Sequence, residues 1–167
     1  MEIEKKYKIK ELLNDLDQYH KKVIEQGYLC TKPVVRIRRS NEDYILTYKS
    51  KIGLDENIGK EARVCNEIEM PLTEESYQHL RTKTDGNLIE KERYIIPLPD
   101  GKKAELDIFQ GALEGLIFVE VEFTNEEEAK NFNAPDWFGE DVSFDNRYSN
   151  NYLATVENPE LLIKELM

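Results

Sequence analysis

The chain has little of what stabilises secreted proteins or anchors proteins in membranes. Its 167 residues include only two cysteines, Cys30 and Cys65, which are too few for a disulfide framework. No apolar run approaches the length of about 20 residues that a membrane-spanning helix requires. The first residues show no signal-peptide pattern. We therefore expect a cytoplasmic protein that forms a single domain over residues 1–167 and is long enough to bury a hydrophobic core.

The sequence also lacks the motifs of several common enzyme classes. There are two histidines, His20 and His79, and both lie in charged stretches where we expect them to be exposed. The chain has no Ser-His-Asp pattern, no Walker-type glycine loop and no zinc-ligand spacing. A catalytic function must therefore depend on other residue types.

Basic residues are the minority, with 23 Lys and Arg against 34 Asp and Glu and a net charge of −11. Nucleic-acid binding needs a positively charged surface, so this balance argues against a nucleic-acid partner. It does not exclude a small polyanion, because inward-facing cations can hold one while the outer surface stays acidic. The positions of the cations therefore matter more than their number.

Sequence periodicity predicts strands with short helices between them. The predicted strands are Glu2–Ile9, Val34–Arg39, Tyr44–Ser50, Arg63–Met70, Leu88–Ile96, Lys103–Phe109 and Phe118–Phe123. The predicted helices are Lys10–His20, Thr73–Lys83, Asn125–Asn133, a segment around Asn146–Thr155, and Pro159–Met167. Thr73 is typical of a helix N-cap, and Pro99-Asp100-Gly101 is typical of a hairpin turn. Lys51–Lys60 is predicted to be a loop.

Each predicted strand has one apolar face and one ionised face. Residues two apart share a face of a strand, so Glu2, Glu4 and Lys6 stand side by side. Carboxylates next to a lysine suit a divalent metal beside a phosphate. The ionised faces of the other strands carry Arg36, Arg38, Lys49, Glu67, Lys91, Arg93, Glu105, Asp107, Glu120 and Glu122.

Two α+β arrangements satisfy this pattern. In the first, a two-layer fold packs the apolar faces against helices and exposes the charged faces to water. In the second, the sheet closes on itself and the charged faces line a tunnel. The ionised faces contain few Ser, Thr, Asn or Gln, and acidic and basic residues lie on different strands, which favours closure. Buried charges on this scale must be paired or neutralised, so a tunnel implies a metal–polyanion complex.

The ordered set of motifs resembles the CYTH family of triphosphate tunnel metalloenzymes, from the N-terminus to near Ala154. The segments that carry the resemblance are Glu2–Lys6, Gln26–Leu29, Arg36–Arg38, Lys49, Asn66–Glu69, Glu90–Tyr94, Glu105–Phe109, Val119–Phe123 and Arg147-Tyr148. The resemblance implies a closed eight-stranded antiparallel β-barrel with helices packed outside and the substrate inside. Family members include inorganic triphosphatases, thiamine triphosphatases and class IV adenylate cyclases.

The resemblance also implies roles for individual residues. The phosphate-binding residues would be Lys6, Arg36, Arg38, Lys49, Lys91, Arg93 and Arg147. The ligands of Mg²⁺ or Mn²⁺ would be Glu2, Glu4, Glu67, Glu120 and Glu122. Of these residues, Glu4, Lys6 and Glu122 are the predicted catalytic set. Relatives often carry a carboxylate at the position of Cys65, which we expect to pack in the core. Either fewer side chains then hold a second metal, or Glu69 or Glu61 substitutes.

The implied activity is metal-dependent hydrolysis of a linear triphosphate. Inorganic tripolyphosphate is the first candidate, because the segment Gln26–Leu29 and the compact length resemble the bacterial inorganic triphosphatases. A nucleoside or thiamine triphosphate is a further candidate substrate, and no membrane partner is expected. Two alternatives stay open. One is a class IV adenylate cyclase, in which the ribose 3′-hydroxyl attacks. The other is a module that binds polyphosphate or a nucleotide without hydrolysing it, for which Cys65 is the only indication.

Overall fold

The computed structural model describes residues 1–167, which form one antiparallel sheet of nine strands surrounded by short helices. The strands are β1 (Glu2–Ile9), β2 (His20–Thr31), β3 (Val34–Ser40), β4 (Asp43–Ser50), β5 (Arg63–Pro71), β6 (Asp85–Pro97), β7 (Lys103–Gln110), β8 (Ile117–Glu122) and β9 (Phe138–Asp141). The helices are α1 (Glu74–Arg81), α2 (Glu126–Lys130), α3 (Asn150–Thr155) and α4 (Pro159–Leu166). Single 3₁₀ turns occur at Leu16–Gln18, Gly111–Leu113 and Asn146–Tyr148.

The sheet closes into a barrel of eight strands. The strand order is β5-β4-β3-β2-β6-β7-β8-β1, and β1 completes the circle by pairing with β5. This closing contact is short, because only Glu2 to Glu4 lie opposite Cys65 to Arg63. Beyond it, β9 takes the same edge of β1 from Tyr7 to Ile9. The predicted α+β fold, a closed eight-stranded antiparallel barrel with helices outside, is therefore confirmed.

Alternation along the strands sorts side chains between the inside and the outside of the barrel. On β1, Glu2, Glu4 and Lys6 line the interior, while Ile3 and Tyr7 belong to an apolar cluster on the outer face. Other members of this outer cluster come from β5 to β9 and α2: Val64, Tyr94, Ile96, Leu106, Val119, Val121, Ala129 and Phe138. Burial of this cluster holds the covering segments against the barrel.

A second apolar cluster occupies part of one end of the barrel. The β2, β6, β7 and β8 strands contribute Tyr28, Ile89, Phe109 and Phe118, and the last three share a face with an ionised residue two positions away. They pack against residues of the C-terminal segment, namely Tyr148, Leu153, Ala154, Leu162, Ile163 and Leu166. The ionised residues thus line the remaining part of the interior, and the C-terminal helices cover the apolar cluster.

The predicted helix Lys10–His20 is wrong. The chain forms only one 3₁₀ turn there and enters β2 at His20, after Asp15 adopts a left-handed backbone conformation with φ 59°. Leu13, Leu16 and Tyr19 pack against the outer cluster, which accounts for the helix-like spacing of apolar residues. The sequence pattern also did not predict the strands β2 and β9. Of these two, β2 supplies the eighth strand of the barrel.

Several local signals are confirmed. The side chain of Thr73 caps α1 by accepting a hydrogen bond from the backbone N–H of Ser76 at 3.0 Å. The predicted hairpin turn joins β6 to β7, where Gly101 has φ 85° and the Leu98 N–H donates to the Lys102 carbonyl. Residues 51–60 contain neither helix nor strand. No helix has both the length and the apolar character needed to span a membrane.

Candidate active site

The barrel interior contains two adjoining cavities of about 810 and about 260 Å³. Both are lined by Glu2, Glu4, Arg36, Lys49 and Asn150. The larger cavity opens beside the first residues of β3 and α3, and the smaller one extends toward the opposite end of β3. The residues that line both cavities therefore mark the middle of a passage through the ionised part of the barrel.

Three carboxylates form a cluster in this passage. Oxygen atoms of Glu2, Glu4 and Glu122 lie within 4.8 Å of one another, because β1 and β8 pair with Glu4 opposite Glu122. Burial raises the pKa of Glu4 to about 8, and the charges of Glu120 and Glu2 add to the effect. Burial and the charge of Glu105 raise the pKa of Glu122 to about 7. A bound cation would relieve this repulsion, and the all-oxygen donor set fits Mg²⁺ or Mn²⁺.

Two lysines next to the cluster are paired with carboxylates. Lys6 Nζ lies 3.4 Å from Glu120 Oε1 and donates to the Tyr148 carbonyl at 2.7 Å. Lys49 Nζ lies 2.8 Å from Glu2 Oε1 and 3.3 Å from Glu67 Oε2. Burial raises the pKa of Glu120, but Lys6 and nearby cations outweigh it and hold this pKa well below its ordinary value. Both lysines therefore serve as counter-ions in the metal-free protein.

A denser network surrounds Asp107, which is fully buried. Its oxygens accept hydrogen bonds from Arg93 Nε at 2.7 Å and Nη2 at 2.9 Å. Lys91 Nζ, also fully buried, donates to Asp107 at 2.8 Å. Burial lowers the pKa of Lys91 to about 7, although the charge of Asp107 opposes that shift. Arg93 further contacts Glu105 at 2.7 Å, so the charge of this pair of cations is largely compensated.

Arg36 and Arg38 on β3 have no carboxylate partner. Arg36 Nη2 donates to Thr47 Oγ1 at 3.3 Å, and its buried Nε has no hydrogen-bond partner. Arg38 donates from Nε and Nη2 to the side-chain oxygen of Gln26, at 2.9 and 2.7 Å. Burial and the charges of Arg36 and Arg93 lower the pKa of Arg38 to about 10. Among the predicted phosphate-binding residues, these two guanidiniums are thus the ones that no carboxylate neutralises.

Two of the residues singled out from the sequence lie in unexpected places. Arg147 follows β9 in a 3₁₀ turn, where its side chain is 47% exposed and pairs with Asp145 at 2.7 Å. Cys65 lines the larger cavity and does not pack in the core, because β5 turns it inward beside Glu2. Its thiol donates to Glu2 Oε1 at 3.6 Å, and burial raises the pKa of Cys65 to about 12. Glu69 lines the smaller cavity, whereas Glu61 is exposed.

The sequence reading assigned no role to three residues that the structure brings into the site. Gln26 holds Arg38, Thr47 accepts from Arg36, and Asn150 accepts from Lys91 Nζ at 3.3 Å. Gln26 belongs to a segment that carried the family resemblance. Because β2 was not recognised as a strand, its inward-facing residues could not be identified.

Comparison with known proteins gives a consistent result, although no family model matches the chain. An inorganic triphosphatase of Nitrosomonas europaea is 40% identical over 140 residues, covering 82% of this chain and 87% of that protein. An inorganic triphosphatase of Acetivibrio thermocellus is 35% identical over 142 residues, covering 84% and 83%. A crystal structure of an inorganic triphosphatase matches with a TM-score of 0.66 and 35% identity, covering 93% of this chain and 95% of that one. Together with the barrel, these similarities establish that the chain belongs to the CYTH triphosphate tunnel family.

Proposed function

We propose that the protein is a metal-dependent triphosphatase that hydrolyses inorganic tripolyphosphate. The observation that carries this proposal is that one cavity contains both the carboxylate cluster and two arginines without counter-ions. The first group suits a divalent cation and the second suits an anion, so the cavity favours a metal–polyphosphate complex. The relatives named inorganic triphosphatases support the same choice of substrate.

Glu2, Glu4 and Glu122 would hold Mg²⁺ or Mn²⁺. When bound, such a metal neutralises phosphate oxygens and lowers the pKa of a coordinated water. Glu67 and Glu120, the other expected ligands, form ion pairs with Lys49 and Lys6 beside the cluster. Because both residues lie next to the three-carboxylate cluster, they would assist Glu2, Glu4 and Glu122 in holding the metal.

The substrate would be bound mainly by Arg36 and Arg38, whose planar guanidiniums suit non-bridging phosphate oxygens. Lys49 now neutralises Glu2, and Lys6 neutralises Glu120. Once a metal shares the carboxylates, both ammonium groups are free to contact phosphate. Lys91 and Arg93 would act from the barrel wall through the network around Asp107. Arg147 would have to leave Asp145 to reach the substrate.

Hydrolysis then requires position and charge, with no covalent nucleophile. The arginines and lysines hold the triphosphate chain so that water attacks a terminal phosphorus in line with the leaving pyrophosphate. A carboxylate of the cluster accepts the proton of this water at an Oε atom. The products are orthophosphate and pyrophosphate, which have fewer charges for the cation set to bind.

A substrate panel tests the proposal. Phosphate release is measured from tripolyphosphate, ATP and thiamine triphosphate with Mg²⁺, with Mn²⁺ or with excess EDTA. We expect the fastest release from tripolyphosphate with metal and none in EDTA. Appreciable release in EDTA would contradict the metal-dependent mechanism. Cyclic AMP formed from ATP would instead identify a class IV adenylate cyclase, and binding without turnover would identify a non-catalytic module.

We also propose that the protein acts in the cytoplasm as a single domain on a small polyanion, without nucleic-acid or membrane partners. The net charge of −11 supports this, because the surface of an acidic protein repels nucleic acid and anionic lipid. Some of the cations, including Arg36 and Arg38, are instead turned into the barrel.

A further inference from the structure

The six predicted cations on the strands fall into two groups. Lys6, Lys49, Lys91 and Arg93 each lie within ion-pair distance of a carboxylate. Arg36 and Arg38 do not, and we call them the β3 arginine pair. They stand two residues apart on one face of β3, and both line the smaller cavity. Among the six predicted strand cations, the positive charge that no carboxylate neutralises is therefore concentrated at these two side chains.

The side chain that holds Arg38 is an amide. Gln26 is fully buried and lies directly across from Arg38 in the pairing of β2 with β3. Its orientation is fixed chemically, because a guanidinium can only donate and so must face the amide oxygen. The amide nitrogen in turn donates to the Tyr28 hydroxyl at 3.3 Å. This chain of contacts holds the Arg38 side chain in one position.

Gln26 is neutral, whereas each of the four paired cations contacts at least one carboxylate. A carboxylate at this place would bind the same two nitrogens but would cancel the charge of Arg38. The amide fixes the guanidinium and leaves the charge available, together with the unpartnered Nε of Arg36. Remaining N–H groups of both arginines can then converge on phosphate oxygens in the cavity.

We propose that Gln26 is a positioning residue that fixes Arg38 beside Arg36 without neutralising it, and so sets the affinity of the tunnel for the triphosphate chain. This inference rests on the proposed function. It assigns the dominant anion contact to the β3 arginine pair and treats the four paired cations as secondary. It also explains why a polar side chain that never reaches the substrate is buried in the barrel wall.

The test is the Gln26→Glu variant, compared with the wild type by calorimetric titration with tripolyphosphate in EDTA and by the KM for tripolyphosphate with Mg²⁺. Because the new carboxylate neutralises Arg38, we expect binding of tripolyphosphate to weaken about ten- to a hundredfold, which corresponds to about 1.4–2.8 kcal/mol. The KM should rise accordingly, with a smaller change in kcat. The melting temperature of the ligand-free variant should stay the same or rise, because the new carboxylate relieves repulsion within the β3 arginine pair. A purely structural role for Gln26 predicts a lower melting temperature instead.

Gln78→Glu is the matched control, because it makes the same charge change at an exposed position of α1. It should leave affinity, KM and melting temperature unchanged. Equal affinity for Gln26→Glu and the wild type would overturn the inference. If Gln26→Glu does not fold, Gln26→Met decides: it removes the acceptor at similar length, and an unchanged KM overturns the inference. A wild type that neither binds nor hydrolyses tripolyphosphate would instead refute the proposed function.

Discussion

At the scale of single residues, the carboxylates of the barrel interior differ in what surrounds them. Asp107 and Glu120 are fixed by cations, whereas Glu4 and Glu122 face mainly other carboxylates. Burial raises the pKa of all four, but only the first two have enough nearby positive charge to reverse the shift. The two kinds of carboxylate should therefore respond differently to mutation.

Glu4→Gln and Glu122→Gln should each lower kcat by at least about 100-fold, because losing a metal ligand removes several kcal/mol of transition-state stabilisation. The ligand-free fold should survive, since each change also removes repulsion within the cluster. Steady-state phosphate release at saturating Mg²⁺ measures the effect, and circular dichroism checks the fold. Glu75→Gln, on the exposed face of α1, is the control. Near wild-type turnover in either tunnel variant would show that the residue is not a ligand.

Asp107→Asn should lower the free energy of unfolding by about 3–5 kcal/mol, because it leaves buried cations without their shared counter-ion. Lys91 and Arg93 both depend on this carboxylate. Urea unfolding at neutral pH gives the value. Glu105→Gln removes only one contact of Arg93 at a partly exposed site and should cost clearly less. Equal costs for the two variants would argue against a central role for Asp107.

The sequence predicts which charged residues lie in the site, but it does not predict which residues pair with them. Glu2, Glu4 and Lys6 were correctly placed on one face, because period-2 alternation is a local property of β1. Which carboxylate pairs with which cation depends on the register between distant strands, such as Lys6 opposite Glu120. No pattern in one sequence contains that information, so the isolated β3 arginine pair was not foreseen.

At the scale of elements, β2 shows why one strand was missed. Its inward face begins with Lys22 and Ile24 beside the smaller cavity, continues with the buried Gln26 and ends in the apolar cluster at Tyr28. Its outward face carries both Val23 and Glu25. Neither face is uniformly polar or apolar, so the alternation that revealed the other strands is absent. The strands β6, β7 and β8 also reach that cluster, but each has ionised residues on its inward face and apolar residues on its outward face, so their alternation is recognisable.

The contact between β6 and α3 provides an element-scale prediction. Gly86 has φ +68°, and a Cβ there would collide with the carbonyl oxygen of Ala154 at the end of α3. Gly53 has a similar φ of +82° but no atom within 4 Å of a built Cβ. Both Gly→Ala changes strain the backbone by about 1–2 kcal/mol. Gly86→Ala must also displace α3, so its unfolding free energy should fall by at least about 1 kcal/mol more.

Urea unfolding of the two variants measures this difference directly, because the backbone strain is common to both. Equal losses would mean that α3 shifts at no cost and does not close the barrel end tightly. A larger loss for Gly53→Ala would contradict the close approach altogether.

At the scale of the whole molecule, closure of the barrel was beyond what periodicity alone could decide. Alternating charged and apolar residues are equally compatible with charged strand faces that contact water and with charged faces that line a tunnel. The closing contact joins the first residues of β1 to β5 over only three residue pairs. The family resemblance supplied the closed fold, and the structure adds that an apolar cluster occupies part of one end.

Stability of the metal-free protein should depend on pH in a characteristic way. The folded-state pKa values of Glu4 and Glu122, about 8 and about 7, lie above the ordinary value of 4.5. Between pH 5 and 7 the folded state therefore binds more protons than the unfolded state, and the free energy of unfolding falls as the pH rises. Above pH 7 the lowered pKa of Lys91 acts in the opposite direction, so the prediction applies to the lower range.

Thermal unfolding in EDTA at pH 5, 6 and 7 tests this dependence. The double variant Glu4→Gln/Glu122→Gln should lose much less stability than the wild type across the series. Parallel curves for the two proteins would show that these carboxylates are not the source of the pH dependence.

The acidic molecule is expected to hold its available positive charge inside the barrel, and a thermal-shift series with phosphates of increasing chain length tests this most directly. A native-state ligand at 100–1,000 times its Kd stabilises by roughly 3–4 kcal/mol. Tripolyphosphate should therefore raise the melting temperature more than pyrophosphate, and pyrophosphate more than orthophosphate, because a shorter chain meets fewer cations. Part of the shift should persist in about 0.3 M NaCl, since an enclosed site is screened less than a surface. Equal shifts for orthophosphate and tripolyphosphate, or a shift abolished by that salt, would contradict an enclosed triphosphate site.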